Sequence, residues 1–276
     1  MSQTVPVSFE FFPPKTDAGY EKLLTVHHEL KAANPEFFSV TYGAGGSTQE
    51  RTISTVIELN QRGVQTAPHL SCIGATEATL TALLDRYQGA GISRIVALRG
   101  DLPSGMGGTG GDFRYASDLV RFIRKHYDNT FSLEVAAYPE MHPQAPNYDR
   151  DVDNFVNKAK AGANTAITQY FYSVDAYTHF VSEVRKRGCN IDIIPGIMPI
   201  TQVSNLIRFS DACGADIPRW LRKQLEACAD DSERIQSVGL EVVSTLCRQL
   251  IDAGAPALHF YTMNRSDPSL AIIDRL

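Results

Sequence analysis

The chain has 276 residues, with 26 Lys and Arg against 31 Asp and Glu, a formal net charge of −5. Apolar residues make up 43% and charged residues 21%, an ordinary globular balance that excludes disordered, collagenous and fibrous classes. The mild acidic excess speaks against a nucleic-acid partner, which requires a concentrated basic face.

The length allows one large α/β barrel or two smaller domains. Eight short β-rich runs recur, at residues 5–12, 37–42, 65–70, 94–98, 132–138, 166–171, 191–197 and 257–261. Most are near-continuous apolar runs, the pattern of parallel strands buried on both faces. Amphipathic segments of helix length fill the gaps at 20–32, 49–60, 77–90, 116–127, 151–161 and 176–187. Gly63, Gly91, Gly162, Gly188 and Gly254 follow helical segments, where a left-handed cap is expected. The long last gap predicts an extra helix around 218–229 before the final helix at 232–253. Its strip Leu240, Val242, Val243, Leu246 and Leu250 suits either core or interface. With no linker or low-complexity tract, the expectation is one domain over 1–276: an α/β (β/α)8 TIM barrel with an extra helix between strand 7 and the last helix. An open doubly wound sheet is the alternative.

The five cysteines, Cys72, Cys189, Cys213, Cys228 and Cys247, form no C-x-x-C pair, so reduced thiols in a cytoplasm are expected. The first twelve residues have neither the basic region nor the apolar run of a secretory leader. No stretch approaches the ~20 apolar residues of a membrane span.

In such a barrel, chemistry gathers at the carboxyl ends of the strands. Those ends carry Glu10, Thr41-Tyr42, His69, Arg99-Gly100-Asp101, Tyr138-Pro139-Glu140-Met141-His142, Gln169 and Tyr261. Glu10 stands among Phe9, Phe11 and Phe12, sharing its strand face with Ser8. Burial there is expected to raise its pKa, as suits a general acid; a core carboxylate paired with Arg99 or Arg265 is the other reading. Asp101 suits a ligand contact or a loop cap, and His69 a ligand contact or a core histidine. Glu140 and His142 have a spacing that a metal site could use, but no third ligand is evident, and no metal is expected. Asp151, Asn154 and Lys158 share a helix face, which fits a ribose and phosphate or plain solvent. Residues 105–110 match G-x-G-x-x-G but read better as a surface loop or lid.

Several segments resemble the 5,10-methylenetetrahydrofolate reductase family, in its bacterial single-domain, flavin-dependent form. They are Ser8-Phe9-Glu10-Phe11-Phe12-Pro13-Pro14, Val40-Thr41-Tyr42-Gly43-Ala44, Ala67-Pro68-His69-Leu70, Ala97-Leu98-Arg99-Gly100-Asp101-Leu102-Pro103, Ala136-Ala137-Tyr138-Pro139-Glu140-Met141-His142-Pro143, Ile167-Thr168-Gln169-Tyr170-Phe171, Ile194-Pro195-Gly196-Ile197 and His259-Phe260-Tyr261-Thr262-Met263-Asn264-Arg265. The resemblance implies reduction of 5,10-methylenetetrahydrofolate to 5-methyltetrahydrofolate by NADH or NADPH, with FAD carrying the hydride in a ping-pong cycle. It implies Glu10 as the acid that protonates folate N10, and Asp101 as a catalytic acid group near the flavin and pterin. Substrate contacts would be Glu10, Asp101, Gln169 and Tyr261. Cofactor contacts would be Thr41, His69, Leu98, Arg99, Gly100, Asp101, Tyr115, Ala116, Ala136, Tyr138, His142, Asp151, Asn154, Lys158 and Ile167. A cytoplasmic homo-oligomer is implied as well. The resemblance departs at Asn157, where a second basic residue is expected beside Lys158, and at Val203, where a larger or aromatic side chain is expected. From the residues alone, a metal-dependent barrel lyase and a folate-binding protein without turnover remain the competing readings.

Overall fold

A computed structural model describes residues 5–42, 46–100, 110–228 and 231–276. Asp101, Gly43 and Ala44, and most of the glycine-rich loop at 105–110 lie outside the described residues. Those described form nine parallel strands alternating with helices.

The order begins β1 (Val7–Phe11), α1 (Asp17–Leu30), β2 (Phe38–Val40), α2 (Gly46–Gln61), β3 (Thr66–Ser71), α3 (Glu77–Gly89) and β4 (Arg94–Leu98). It continues α4 (Ala116–Tyr127), β5 (Ser132–Ala137), α5 (Tyr148–Lys160), β6 (Thr165–Thr168), α6 (Val174–Lys186), β7 (Asp192–Ile194) and β8 (Gly196–Ile197). The last elements are α7 (Val203–Cys213), α8 (Arg219–Glu226), α9 (Ser232–Asp252), β9 (Leu258–Tyr261) and α10 (Asp267–Ile273).

The strands pair in the order β7-β6-β5-β4-β3-β2-β1-β9-β8. Since β7 and β8 are consecutive, the ring closes through the chain itself at Pro195, and the open-sheet alternative is set aside. The predicted seventh strand is split there because proline has no N–H to give to a ladder. Its carbonyl still accepts from His259 N at 3.0 Å, and Gly196 N donates to Thr168 Oγ1 at 2.9 Å.

Strand alternation divides the apolar residues into two sets. Phe9, Phe11, Phe38, Val40, Leu133 and Val135 belong to the large core between strands and helices. Phe37, Ala67, Val96 and Ile167, with Leu98 against them, form a smaller cluster inside the ring. Ser8, Glu10 and His259, like Phe37, alternate with residues of the large core.

Helix starts follow local chemistry. Thr16 caps α1 by accepting from Gly19 N, Thr76 and Thr79 form a reciprocal box at α3, and Asp231 accepts from Arg234 N at α9. The five expected cap glycines all have positive φ. The extra helix appears as α8, but α7 and α10 were not anticipated. Only Leu206 and Ser210 are buried in α7, and only Ser269 and Ile272 in α10, too few to print a periodic apolar stripe. In the α9 strip, Val243, Leu246 and Leu250 are buried, with Leu240 and Val242 packed against the core, so the strip is core. No helix among the described residues is long and apolar enough to cross a membrane.

Candidate active site

Glu10 lies on β1, in register with Ser39 of β2 and Tyr261 of β9. Its residue is 9% exposed, enough to open on the mouth of the ring and no more. His69 on β3 places Nε2 at 3.2 Å from Oε2, and His259 on β9 places its Nε2 at 3.7 Å. Neither approach is aligned as a hydrogen bond. His259 is anchored at its other nitrogen, with Nδ1 at 2.7 Å from Ser8 Oγ.

The electrostatics correct one expectation. Burial does oppose the charge on Glu10, but the His69 and His259 imidazoles outweigh it and hold the carboxyl down to about 2. The alternative partners named for a core carboxylate, Arg99 and Arg265, are replaced by these two imidazoles. Burial pushes the His259 imidazole below its ordinary value despite the pull of Glu10, so His259 is neutral at neutral pH.

Tyr261 donates its hydroxyl to Thr168 O at 2.6 Å, tying β9 to β6 above the split strand. Burial raises that hydroxyl well above its ordinary pKa. Gly196 makes this contact possible: a Cβ there would lie 2.2 Å from Thr168 O and 2.8 Å from the Tyr261 hydroxyl. Gln169, on the same side, turns its Oε1 back to Tyr170 N at 3.0 Å.

A second group occupies the rim above β4 and β5. Arg99 donates to Gln144 Oε1 at 2.6 Å. Asp151 accepts from His142 N at 2.7 Å, and His142 Nδ1 accepts from Gln144 N at 3.0 Å. That acceptor role leaves Nε2 as the protonated nitrogen of the neutral ring. Tyr138 meets the His142 ring edge-on at 4.5 Å. Lys158 donates to Ala136 O and lies 5.7 Å over the Phe155 ring. Neither neighbour offsets its charge, and burial lowers its ammonium to about 8, against a smaller pull from Asp151. Gly100, at φ +86°, leaves room for Ser71 Oγ, which would sit 1.9 Å from an added Cβ. This group has the donors of an anion cradle, with one desolvated ammonium short of a counter-charge.

Other predicted residues stand differently. Thr41 is half-buried at the end of β2, where its N–H donates to Phe11 O at 2.9 Å. Ile167 and Leu98 belong to the inner cluster. Ala116 is buried at the start of α4, while Tyr115 before it is 55% exposed. Asn154 and Asn157 are exposed on α5, and half-buried Val203 opens α7. Glu140 accepts from Asp216 N at 2.8 Å, which ties the β5 loop to the segment before α8. Among the described residues, no group of three or more His, Cys, Asp or Glu is arranged to hold a metal ion.

The methylenetetrahydrofolate reductase family profile matches residues 1–276. This chain belongs to that family. It is 40% identical over 273 residues to the 5,10-methylenetetrahydrofolate reductase of Escherichia coli, covering 99% of this chain and 90% of the relative. Methylenetetrahydrofolate reductase 1 of Schizosaccharomyces pombe is 40% identical over 279 residues, but the match spans 46% of that longer protein. Among solved structures, an uncharacterized Clostridium thermocellum protein that binds two copies of 5-methyl-5,6,7,8-tetrahydrofolic acid superposes with a TM-score of 0.67. It covers 99% of this chain and 94% of that one at 17% identity, a likeness of fold.

Two neighbours of Glu10 were absent from the expected site, His259 and the anchoring role of Ser8. The signal was present: His259 precedes Tyr261 by two residues and therefore shares its strand face.

Proposed function

We propose that this chain reduces 5,10-methylenetetrahydrofolate to 5-methyltetrahydrofolate, taking its electrons from NADH or NADPH in a ping-pong cycle through FAD. The observation that carries this reading is Glu10: a carboxylate held among imidazoles at the carboxyl mouth of the barrel, in a chain of this family. A pure folate-binding role gives no reason to keep such a group there.

The residues present fit a dinucleotide. The buried Lys158 ammonium is suited to a pyrophosphate, which would restore its ordinary proton affinity. Arg99, Tyr138, His142 and Asp151 surround the same rim, with Gly100 leaving room beside them for Ser71 Oγ. Bound there, FAD supplies a carrier that accepts hydride from the nicotinamide and passes it to the one-carbon unit.

The protein's part is proton management and orientation. Glu10 is charged in the free site and must take a proton from solvent at the open mouth, where it is 9% exposed, before it can give one to folate N10. A pterin seated over it strips away the remaining water and raises the cost of the charge, so the proton is held once substrate is in place. Transfer to N10 opens the five-membered ring and leaves the one-carbon unit as an electrophile. Gln169 and Tyr261 orient the pterin, and Asp101 contributes a negative charge that favours the cationic form. The remaining expected contacts, from Thr41 to Ile167, position the cofactor. The chain acts as a single catalytic domain, as a homo-oligomer in the cytoplasm; its five free thiols support that compartment.

The test is a spectrum of the purified protein under anaerobic conditions. A flavin band bleached by NADH or NADPH and restored by 5,10-methylenetetrahydrofolate is expected. A protein that neither carries nor takes up flavin overturns the reading.

A further inference from the structure

Four polar groups form a chain of contacts in the upper barrel: Ser8, His259, Glu10 and His69. The Ser8 and His259 end is sealed, at 1% and 0% exposed. His259 is held on every side. Its backbone N–H donates to Pro195 O at 3.0 Å, while the Phe37 ring stacks on the imidazole at 5.8 Å and Tyr261 meets it edge-on at 5.5 Å. Within this enclosure the two nitrogens have different neighbours: Nδ1 faces the Ser8 hydroxyl at 2.7 Å and Nε2 faces the Glu10 carboxylate at 3.7 Å.

A neutral imidazole carries one N–H, and each placement demands a different partner. With the proton on Nε2, the ring turns its positive N–H edge toward Glu10 Oε2 across 3.7 Å, an electrostatic support short of a hydrogen bond, and Ser8 must donate to Nδ1. With the proton on Nδ1, Ser8 must accept, and Nε2 presents a lone pair that suits only a protonated Glu10. The ring holds one proton in both states, and the net difference is the single proton gained by Glu10. Serine is fitted to this position because its hydroxyl donates or accepts by rotating.

We propose that Ser8 and His259 are positioning residues for Glu10: the hydroxyl accommodates either tautomer, and the imidazole thereby supports the carboxylate at rest and the carboxylic acid during turnover. The inference rests on Glu10 being the proton donor of the folate step. The other groups facing the carboxylate are His69 from β3 and Tyr261 from β9, with the neutral Ser39 opposite on β2. His69 has one contact with Glu10 and reaches toward the open side, so the sealed pair and the open imidazole have separable effects.

Two measurements test the proposal. The first is nitrogen NMR of histidine-labelled wild-type protein at neutral pH, which reads the tautomer of His259 without folate chemistry. A proton on Nε2 is expected; a proton on Nδ1, or a doubly protonated ring, overturns the proposal. The second is the pH profile of each half-reaction in Ser8→Ala. Losing the Ser8 donor weakens the Nε2–H support of the carboxylate, which raises its proton affinity. The profile of the folate half-reaction should therefore move to higher pH, and because Ala also removes the acceptor that the Nδ1–H tautomer needs beside the protonated acid, that half-reaction should slow by about tenfold. The nicotinamide half-reaction should stay within about twofold, and Ser8→Thr should restore the profile. A purely structural role would lower both half-reactions together and leave the profile in place, which overturns the proposal. The reading of Glu10 fails separately: its own substitution by Gln would then leave the folate half-reaction intact, whatever the tautomer of His259.

Discussion

Among the described residues the barrel interior holds two buried carboxylates, Glu134 and Glu10, and they are built in opposite ways. Glu134 lies at the amino-end side, fully buried, with Arg94 Nη1 at 2.6 Å and the guanidinium stacked 4.4 Å over the Phe37 ring. Glu10 lies at the carboxyl-end mouth between two imidazoles. Burial raises the pKa of Glu134 even against Arg94, whereas the imidazoles bring Glu10 down to about 2. A guanidinium never gives up its proton, so the lower pair is fixed. An imidazole can change its protonation, so the upper group has partners able to follow a reaction. One barrel thus keeps a static ion pair below and an adjustable one above.

The largest expected effect breaks the upper arrangement. Glu10→Gln should slow the folate half-reaction by about 10²–10⁴-fold and leave flavin reduction by nicotinamide within about twofold, measured by rapid mixing of each half. The lower pair answers in stability. Arg94→Met strands a buried carboxylate and should cost about 3–5 kcal/mol, read from denaturant midpoints, with Arg94→Met/Glu134→Leu recovering most of the loss.

Acid titration separates the two by sign. Glu10 is depressed from 4.5 to about 2, so its contribution is present above pH 4.5 and lost as pH falls toward 2. Glu134 is raised, so its charging weakens the fold as pH rises from 4.5 through its folded value. Glu10→Gln should flatten stability across the first window, and Glu134→Gln should flatten the opposite slope, both followed by denaturant unfolding at stepped pH. The smallest effect concerns the rim cation. Unlike Arg94, which has a carboxylate at 2.6 Å, Lys158 donates to a carbonyl, lies over a ring and feels only a weak pull from Asp151. Lys158→Met should weaken flavin retention by about tenfold, measured by equilibrium dialysis, with little change in the folding midpoint.

Much of this was readable from the sequence, and the reasons are local. The strands announce themselves because a ring buried on both sides needs near-continuous apolar runs, and α4 is found at the expected residues because its apolar face is strongly periodic. The split at Pro195 follows from one missing N–H, but whether the flanking residues still pair with different neighbours is a property of the closed ring. For the site, Glu10 is legible as an acid among phenylalanines. Its charge is not, because that depends on His69 and His259, which only the barrel brings alongside. The same holds for Lys158: a lysine on a polar helix face looks solvated until α5 is packed on β5.

Strand β1 is paired on one side by β2 and on the other by β9, which is synthesised long after it. While the chain emerges from the ribosome, the strand bearing the proposed proton donor keeps one ladder edge open until β9 follows, and the sealed histidine arrives with that strand. Any product that stops before residue 257 leaves that edge as a template for foreign strands. Emergence of β9 is therefore the assembly checkpoint of the reactive mouth, and any truncation that removes this strand strikes the chemistry and the closure of the ring in the same stroke.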